Sequence, residues 1–496
     1  MPRQQGPSVL LTYPSMFYYP ESMHSDEVKA SQLVLASYLA QFFPVEYMDL
    51  EVSIGRPTSA VQIKRFERRV HEILQRDFDV LAISCWTSLC YKAAMSVARI
   101  ARELHPDRLI VVGGYHPTAR PDDFVTADNL FDYVVRGEGE LALRDIVQSF
   151  STQGRPAATT TVIGPTVYPE QFPAVDWDII DGLMKTEVPG QMNTLTIYLS
   201  RGCPFECSFC MESLKDHCWR PLSPSVAVTQ IREVIRRYNP AAVGLGDACF
   251  GVRPEWRKEF LSRLADLHPT CYILFETRPE FLDHDDIEVL SGLKAEVQFG
   301  VESCSPMMLR IMNKSKQPEK FLDKFRQVSH LLSEREVVHG ANLIFNHPGE
   351  TQRTLEETFD FVDAELDRGP SSLIWTCHGY MHFPGSAVDR EQAYFQKECG
   401  TQFLCGDWWY KDEDPFVSSR QVIPSSDLSG ERVSLWREMF QERDARLRDA
   451  LIPEAFRMAA ATLYSNWMND PRYTAPQVAS FSNPVGSENI TGFPSA

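Results

Sequence analysis

The sequence predicts an α/β protein with a doubly wound, Rossmann-like sheet, then a partial (β/α)6 barrel of the TIM type, then a small, mainly helical C-terminal domain. Short apolar runs alternate with segments of helical period along most of the 496 residues, as they do where helices join parallel strands. A stretch rich in Gly, Pro and Thr separates these runs into two series. We therefore place the sheet domain at 1–155, a linker at 156–192, the barrel at 193–398 and the last domain at 399–496.

The first series predicts five strands. They are SVLLTY (Ser8–Tyr13), VEYMDL (Val45–Leu50), VLAISCW (Val80–Trp86), LIVVGG (Leu109–Gly114) and DYVVRG (Asp132–Gly137). Between the second and third strands, apolar residues recur every three or four positions and predict a helix; they are Ile63, Phe66, Val70, Ile73 and Leu74. Parallel sheets of this kind bind ligands at the carboxyl ends of their strands.

The second series predicts the six strands of the partial barrel. They are TLTIYLS (Thr194–Ser200), AAVGLGDACF (Ala241–Phe250), CYILFETRP (Cys271–Pro279), AEVQFGVES (Ala295–Ser303), VVHGANLIFN (Val337–Asn346) and LIWTCHGYMHF (Leu373–Phe383). A helix containing Val228 and Tyr238 follows the first strand, with Ser225 as its expected N-cap. Barrel chemistry belongs at the carboxyl ends of the strands. An amphipathic segment, Leu435–Leu451, predicts a helix in the last domain.

Composition limits the classes of function. Lys and Arg number 49 against 67 Asp and Glu, giving a formal charge of −18 without a basic patch, so we expect no nucleic acid partner. No apolar run reaches the length of a membrane span, and the first residues lack the pattern of a signal peptide. We expect a cytoplasmic protein without a membrane partner. The 12 cysteines are then free thiols or metal ligands in a reducing compartment.

Three cysteines in SRGCPFECSFC, namely Cys203, Cys207 and Cys210, follow the first barrel strand directly. Thiolates at this spacing suit an iron–sulfur cluster, and three of them on a four-iron cube leave one iron open to another ligand. A zinc site would need a second pair of ligands, and His217 and Cys218 are poorly spaced for that. Three independent buried thiols are the remaining alternative.

The pattern CPFECSFC resembles CxxxCxxC, the signature of the radical S-adenosylmethionine (SAM) superfamily, in which the open iron usually chelates SAM. The stretches GLGDACFG, FETRPEF, FGVESCS and NHPGET resemble later strand ends of that barrel. The resemblance implies a [4Fe-4S] cluster on the three cysteines and SAM nearby. It also implies that five further residues lie near SAM or the cluster: Gly246, Asp247, Glu302 and, as catalytic candidates, Glu276 and Arg278.

The first domain resembles the cobalamin-binding domain of one branch of that superfamily. The likeness rests on VVGGYHPTARPDDFVTADNLFDYVVRGEGE, which holds two glycine-containing loops after neighbouring strands. Glycine removes a side chain where a flat macrocycle or its nucleotide tail must approach the backbone. The implied cobalamin-binding residues are Ser84, Gly113, Gly114, Gly137, Glu138, Gly139 and Glu140. Trp86 departs from the family, which usually has a small or aliphatic residue there.

A second departure concerns the lower face of cobalamin. Many cobalamin proteins provide a histidine in a DxHxxG loop after the first strand, but this loop reads TYPSMFYYPESMHSDE, and its single histidine, His24, lacks the Asp and Gly neighbours. We expect base-off cobalamin without a histidine ligand. Arg69, at the margin of the apolar face of its helix, is a candidate to point inward toward that lower face.

The resemblance leaves three functions open. One is a SAM-dependent methyltransferase that moves a methyl group through methylcobalamin to a carbon of a small molecule. Another uses a 5′-deoxyadenosyl radical to methylate an unactivated carbon or phosphinate, or to rearrange a natural-product intermediate. The third is a non-catalytic iron–sulfur protein, which would usually keep four cysteine ligands. The paired domains favour methyl transfer.

Over the whole chain, the sequence resembles the tryptophan 2-C-methyltransferases of thiopeptide antibiotic biosynthesis. Tryptophan C2 is therefore the expected methyl acceptor, and we expect an electron donor that reduces the cobalamin or the cluster. Trp408, Trp409 and Tyr410 could wall a flat substrate or serve as packing residues.

Overall fold

The computed structural model describes residues 6–18, 29–168, 175–178, 180–181, 194–214, 217–369, 371–412 and 421–451. They divide into two compact units. The first comprises Met1–Gly202, Leu214–Pro240 and Trp409–Asp414, and the second comprises Cys203–Ser213, Ala241–Trp408 and Pro415–Ala496. No helix among the described residues is both long and apolar enough to cross a membrane.

The first unit contains a parallel sheet of six strands in the order β2-β1-β3-β4-β5-β6. The strands are β1 (Val9–Tyr13), β2 (Val45–Asp49), β3 (Val80–Ser84), β4 (Leu109–Gly113), β5 (Tyr133–Gly137) and β6 (Thr160–Gly164). The order reverses at β1, which pairs with β2 on one side and β3 on the other. Such a reversal opens a crevice at the carboxyl ends of the strands, and the expected doubly wound fold is confirmed.

The α-helices of the first unit are Ala30–Leu39, Leu50–Ile54, Ala60–Ile73, Tyr91–Leu104, Tyr115–Ala119, Glu140–Gln153 and Pro224–Tyr238. Three short strands complete it: β7 (Thr194–Ile197), β8 (Ser200–Arg201) and β9 (Arg220–Pro221). The helix expected from the Phe66 pattern is present, with Phe66 and Val70 buried.

Two local predictions for this unit were wrong. Strand β6 lies in the stretch interpreted as linker and pairs in parallel with β5; most of its side chains are exposed, so it carries no apolar signal. The N-cap of Pro224–Tyr238 is Ser223, whose side chain accepts a hydrogen bond from Val226 N, and not Ser225. Proline at the first helical position explains the shift, because that position needs no N–H group.

The second unit contains a parallel sheet in the order β14-β13-β12-β11-β10. These strands are β10 (Ala242–Leu245), β11 (Tyr272–Thr277), β12 (Ala295–Glu302), β13 (Val338–Phe345) and β14 (Leu373–Gly379). Together with β7, they account for all six strands expected in the barrel. The antiparallel strands β15 (Gln402–Phe403) and β16 (Val422–Ile423) follow.

Helices separate the strands of the second unit. They are Pro254–Leu267, His284–Ser291, Pro306–Ile311, Pro318–Glu334, Gln352–Leu366, Ala387–Arg390, Gln392–Cys399 and Leu435–Leu451. The last one has the bounds expected from the sequence.

Alternate residues of the second sheet face opposite sides. Trp375 of β14 packs against Phe325 and Phe361 of two helices, at ring distances of 5.9 and 6.4 Å. Because side chains alternate along a strand, Thr376 and His378 point away from the helices, toward the interior. Three other strands alternate in the same way, and their helix-facing residues are Phe275, Phe299 and Phe345. The residues that alternate with these face the interior; they are Glu276, Gln298, Asn342 and Ile344.

Candidate cofactor and active site

The three motif cysteines lie on one loop of the second unit. Cys207 is buried, while Cys203 and Cys210 are partly exposed. Among the residues that the structure describes, no three His, Cys, Asp or Glu side chains lie close enough to hold a single metal ion. Three thiolates that bind separate irons of one cube lie further apart than the ligands of one ion, so the loop is compatible with a four-iron cluster.

Two cations accompany these thiols. The Arg278 guanidinium is buried and lies 4.0 Å from the ring centre of Phe205, inside the motif. It donates hydrogen bonds to Glu280 and to Lys314 O, at 2.8 and 2.6 Å. Its Nε and Nη1 atoms are buried without a partner among the described residues. Unpartnered buried N–H groups are costly, so this position suits an anionic group such as a thiolate-bound cluster.

Lys314 is the second cation, and no sequence motif indicated it. Its Nζ lies 3.0 Å from Glu302 Oε1, and both side chains are largely buried. Burial opposes the charge on Lys314, but Glu302 and the Cys207 thiol outweigh it and raise its pKa. Glu302 has a φ of 68°, and a Cβ at Gly300 would lie 2.5 Å from its carboxylate. The glycine therefore leaves room for the ion pair.

A fourth thiol belongs to the same group. Cys249 is buried after β10, and its hydrogen bond with Cys203 raises the pKa of Cys249 and lowers that of Cys203. Burial raises the pKa of Cys207, and it raises that of Cys210 to about 12. Thiols buried in this way bind metal only after losing a proton. The predicted loop GLGDACFG contained Cys249, but nothing in the spacing marked it.

Polar side chains line the interior beside β11, β13 and β14. Asn342 Nδ2 donates to Glu276 Oε1 at 3.1 Å, and the Thr376 hydroxyl donates to Asn342 Oδ1. The Asn342 amide is thus oriented, and it holds one oxygen of Glu276. The Glu276 side chain keeps accessible surface, but it lies deep among the strands. The resulting loss of hydration raises its pKa, and the negative charge of Glu302 raises it further. Asn342, Thr376 and His378 were not predicted.

Two other predicted residues of this unit follow β10. Asp247 is buried and Gly246 is partly exposed. Their assignment to SAM or the cluster stays a prediction.

Two glycines of the first unit lie in close contact with neighbouring backbone, which the sequence analysis did not predict. A Cβ at Gly114 would lie 2.4 Å from Cys85 O, and one at Gly137 would lie 2.8 Å from Gly164 O. Both have positive φ, 123° and 82°. The backbone at the neighbouring strand ends therefore already requires glycine at these two positions, and their assignment to cobalamin stays a prediction. Gly139 differs, because a Cβ there would meet nothing within 4 Å.

Glu138 and Glu140 are engaged by arginines. Glu138 Oε1 accepts a hydrogen bond from Arg220 at 2.7 Å, and Oε2 accepts one from Val167 N. Burial opposes ionisation, but the bond from Arg220 and the charge of Arg201 lower the pKa of Glu138. Glu140 pairs with Arg201.

A cavity of about 220 Å³ lies at this end of β5 and β6; it is lined by Thr118, Arg136, Gly137, Glu138, Ile163, Gly164, Thr166, Leu214 and Arg220. Ligand pockets commonly measure about 300 to 1,000 Å³, so this cavity would hold only part of a large cofactor. With the open side of Gly139, it fits a cobalamin site at these strand ends. Ser84 ends β3 opposite Gly113 in register, where the prediction placed it.

The expected inward orientation of Arg69 is not found. Its side chain is 55% exposed and pairs with Glu72 three residues further along the helix. His24 lies outside the described residues. His116, near the glycine loop, uses both ring nitrogens within the protein, at 2.6 Å from Ser88 Oγ and 3.0 Å from Asp123 Oδ2. Both nitrogens of His116 are thus engaged within the protein, and cobalamin without a histidine ligand stays a prediction.

The two tryptophans after the barrel are packing residues. Trp409 Nε1 donates to Asp123 Oδ2 at 3.0 Å, and its ring lies edge-on to His116. Trp408 Nε1 donates to His382 O at 2.6 Å. Tyr410 remains 45% exposed.

Comparison with known domain families gives two matches. Residues 23–147 match the B12 binding domain, and residues 197–362 match the radical SAM superfamily. The chain contains a B12-binding domain and a radical SAM domain. Its cofactors are therefore cobalamin, a [4Fe-4S] cluster and SAM.

Relatives of this radical SAM protein have different activities. The anaerobic magnesium-protoporphyrin IX monomethyl ester cyclase of Rubrivivax gelatinosus is 25% identical over 333 residues, covering 63% of this chain and 58% of that protein. The cobalamin-dependent radical SAM methyltransferase TokK of Streptomyces tokunonensis is 23% identical over 320 residues, covering 59% and 45%. The chain thus spans about half the length of these two curated relatives.

Among solved structures, the radical SAM methyltransferase TsrM of Kitasatospora setae, with tryptophan and a SAM analogue bound, has the same fold. The TM-score is 0.62 at 17% identity, over 90% of this chain and 89% of that chain. The likeness establishes the fold and extends beyond the two matched domains.

Proposed function

We propose that this radical SAM protein is a methyltransferase that moves a methyl group from SAM to a carbon of a small molecule, with tryptophan C2 as the first acceptor to test. The observation that carries the proposal is the presence of a B12-binding domain and a CxxxCxxC barrel in one chain. The TsrM-like fold over 90% of the chain supports the choice of acceptor. When bound, SAM provides the methyl group, the cluster holds SAM and cobalamin carries the methyl group.

The chain's own residues would then bind and orient the reactants. Arg278 and Lys314 place two positive charges beside the motif thiols, where an anionic cluster needs them. Glu302, held by Lys314, presents a buried carboxylate on the same side, suited to the amino group of SAM. Asn342 holds one oxygen of Glu276. In this proposal Glu276 would control access of SAM to the open iron, because a carboxylate there would compete with SAM's chelating groups.

Methylation of an aromatic carbon also needs a group that accepts the displaced proton. Two side chains on the interior face suit this task. The raised pKa of Glu276 makes its carboxylate a stronger base. His378 keeps some accessible surface, but its position among the strands desolvates the ring and lowers its pKa, which favours the neutral imidazole. A general base works best when its pKa lies near the operating pH.

The relative named as a cyclase supports a second candidate, in which the protein uses a 5′-deoxyadenosyl radical to rearrange or methylate an unactivated centre. Mass spectrometry of reactions with SAM, a reductant and candidate acceptors separates the two. We expect tryptophan to gain one methyl group. A tryptophan that stays unmodified with fully loaded enzyme would contradict this acceptor, and formation of 5′-deoxyadenosine in step with a product, methylated or rearranged, would favour the second candidate.

A further inference from the structure

The middle of the cysteine motif is attached to neighbouring elements at several points. Ser208 N donates to Met312 O at 2.8 Å, and Val388 N donates to Ser208 O at 3.0 Å. Two residues before Ser208, Glu206 O accepts a hydrogen bond from Asn313 Nδ2 at 2.9 Å. These hydrogen bonds tie the motif to the end of the helix Pro306–Ile311 and to the helix Ala387–Arg390.

A buried histidine adds a bond to the side chain of Ser208. His347 Nδ1 lies 2.8 Å from Pro348 O, and Nε2 lies 3.0 Å from Ser208 Oγ. A carbonyl oxygen can only accept, so Nδ1 carries the proton and Nε2 accepts the proton of the Ser208 hydroxyl. Both side chains are buried, at 0% and 5% exposure.

Packing fixes the His347 ring in this orientation. Tyr380 and Phe395 meet it edge-on at ring distances of 5.2 and 6.1 Å, and Phe209 of the motif meets it at 6.2 Å. Phe209 itself packs against the apolar cluster that contains Tyr380, Val388 and Phe395. The imidazole therefore has no room to turn away from Ser208.

We propose that His347 is a positioning residue for the cluster: by accepting the Ser208 hydroxyl proton, it fixes the segment between Cys207 and Cys210, so that both thiolates face one cube at a constant spacing. Removing the acceptor would leave a buried hydroxyl without a partner, which favours rotation or exposure of this segment. The inference rests on the cluster of the proposed enzyme and is independent of which molecule accepts the methyl group.

The same strand provides a matched control. His339, near the start of β13, is also fully buried. Its Nε2 lies 2.8 Å from Ser329 Oγ, and its Nδ1 lies 2.9 Å from Val337 O. These two bonds match those of His347, although Ser372 Oγ also lies 3.4 Å from His339 Nδ1. They join a helix and a strand start, and not the cysteine motif. A purely structural role would make the two histidines equivalent.

The test compares His347→Phe, which keeps a ring but removes the acceptor, with His339→Phe. His347→Gln restores an acceptor, since the Gln amide oxygen can take the place of Nε2. Each reconstituted holoenzyme is assayed for bound iron and sulfide, for the rate of iron loss to a chelator, and for the electron paramagnetic resonance spectrum of the reduced cluster. Two properties are measured in the cluster-free protein: the rate of hydrogen exchange in the peptide containing 203–212, and the melting temperature.

We expect His347→Phe to lose iron several-fold faster than His339→Phe at an equal loss of melting temperature, to shift the spectrum, and to speed exchange in 203–212. His347→Gln should recover most of the wild-type behaviour. If His347→Phe does not fold, Ser208→Ala removes the donor with little change in volume and should likewise speed iron loss. Equal iron loss and exchange in both phenylalanine variants, or a wild-type Ser208→Ala variant, would overturn the proposal.

These readouts require no methyl acceptor. Failure to find an acceptor would count against the proposed reaction and leave the His347 result standing. A wild-type protein that binds no cluster would overturn both.

Discussion

At the residue scale, the cysteine pattern permits a direct count of cluster ligands. Replacing Cys203, Cys207 or Cys210 by Ala should abolish the four-iron chromophore and the activity together, because each thiolate binds one iron. Cys218→Ala is the matched control, since Cys218 is exposed and outside the motif. Absorption spectra and iron content after reconstitution measure the effect. Cys249→Ala should keep the cluster; loss of iron from it or from the Cys218 variant would mean four ligands.

Glu350 predicts a pH dependence of stability. It is fully buried after β13, accepts a hydrogen bond from Asn346 N, and burial raises its pKa from 4.5 to about 8. A carboxyl group whose pKa is higher in the folded than in the unfolded protein contributes its full stabilisation at pH values below the unfolded-state pKa. For Glu350, that contribution is lost as the pH rises through the folded-state pKa of about 8. Glu350→Gln, neutral at every pH, should therefore flatten the dependence on this side.

Denaturant unfolding between pH 6.5 and 8 measures this effect, which is on the order of a few kcal/mol. Burial lowers the pKa of His339 and His347 from 6.5 to about 4, so they act mainly below this range and with the opposite sign. Glu356→Gln, on the exposed side of the next helix, is the control. Equal pH slopes in wild type and Glu350→Gln would contradict the assignment.

At the scale of elements, a substitution in one of the two glycine-containing loops should impair folding, and a substitution in the other should not. Gly114→Ala should destabilise the sheet domain, because φ is 123° and the new Cβ would meet Cys85 O; such backbone strain costs about 1–3 kcal/mol. Gly139→Ala should fold normally, since its surroundings are open and its φ is −89°. Thermal unfolding and cobalamin absorption spectra of both variants test this. A destabilised Gly139→Ala variant would show that this loop is also held by the backbone.

The elements also show which sequence signals were sufficient. Buried parallel strands such as β3 and β4 were predicted because the first four positions of each are apolar and buried. Strand β6 was missed because an edge strand with exposed Thr side chains looks like a connector. Ser225 was preferred to Ser223 as N-cap because the role of Pro224 at the first helical position was overlooked.

At the scale of the whole molecule, the sequence predicted both domain types, since CxxxCxxC and the glycine loops are local motifs. The residues that complete the site were not predictable in this way. Lys314 reaches Glu302 from a turn 12 positions later, and His347 reaches Ser208 across 139 positions. Such pairs depend on the tertiary fold. The prediction that Arg69 points inward failed for a related reason. A residue at the edge of an amphipathic face can direct a long side chain either inward or outward.

The proposed methyl transfer leads us to expect a polar route. Bound without a nitrogen ligand on its lower face, cobalamin would supply a methyl cation more readily, and an electron-rich carbon such as indole C2 would accept it without first becoming a radical and lose its proton to a base. The most direct test counts the SAM-derived products formed per methylated tryptophan. We expect S-adenosylhomocysteine as the only SAM product. Formation of one 5′-deoxyadenosine for each methylated molecule would contradict the account and indicate radical methylation.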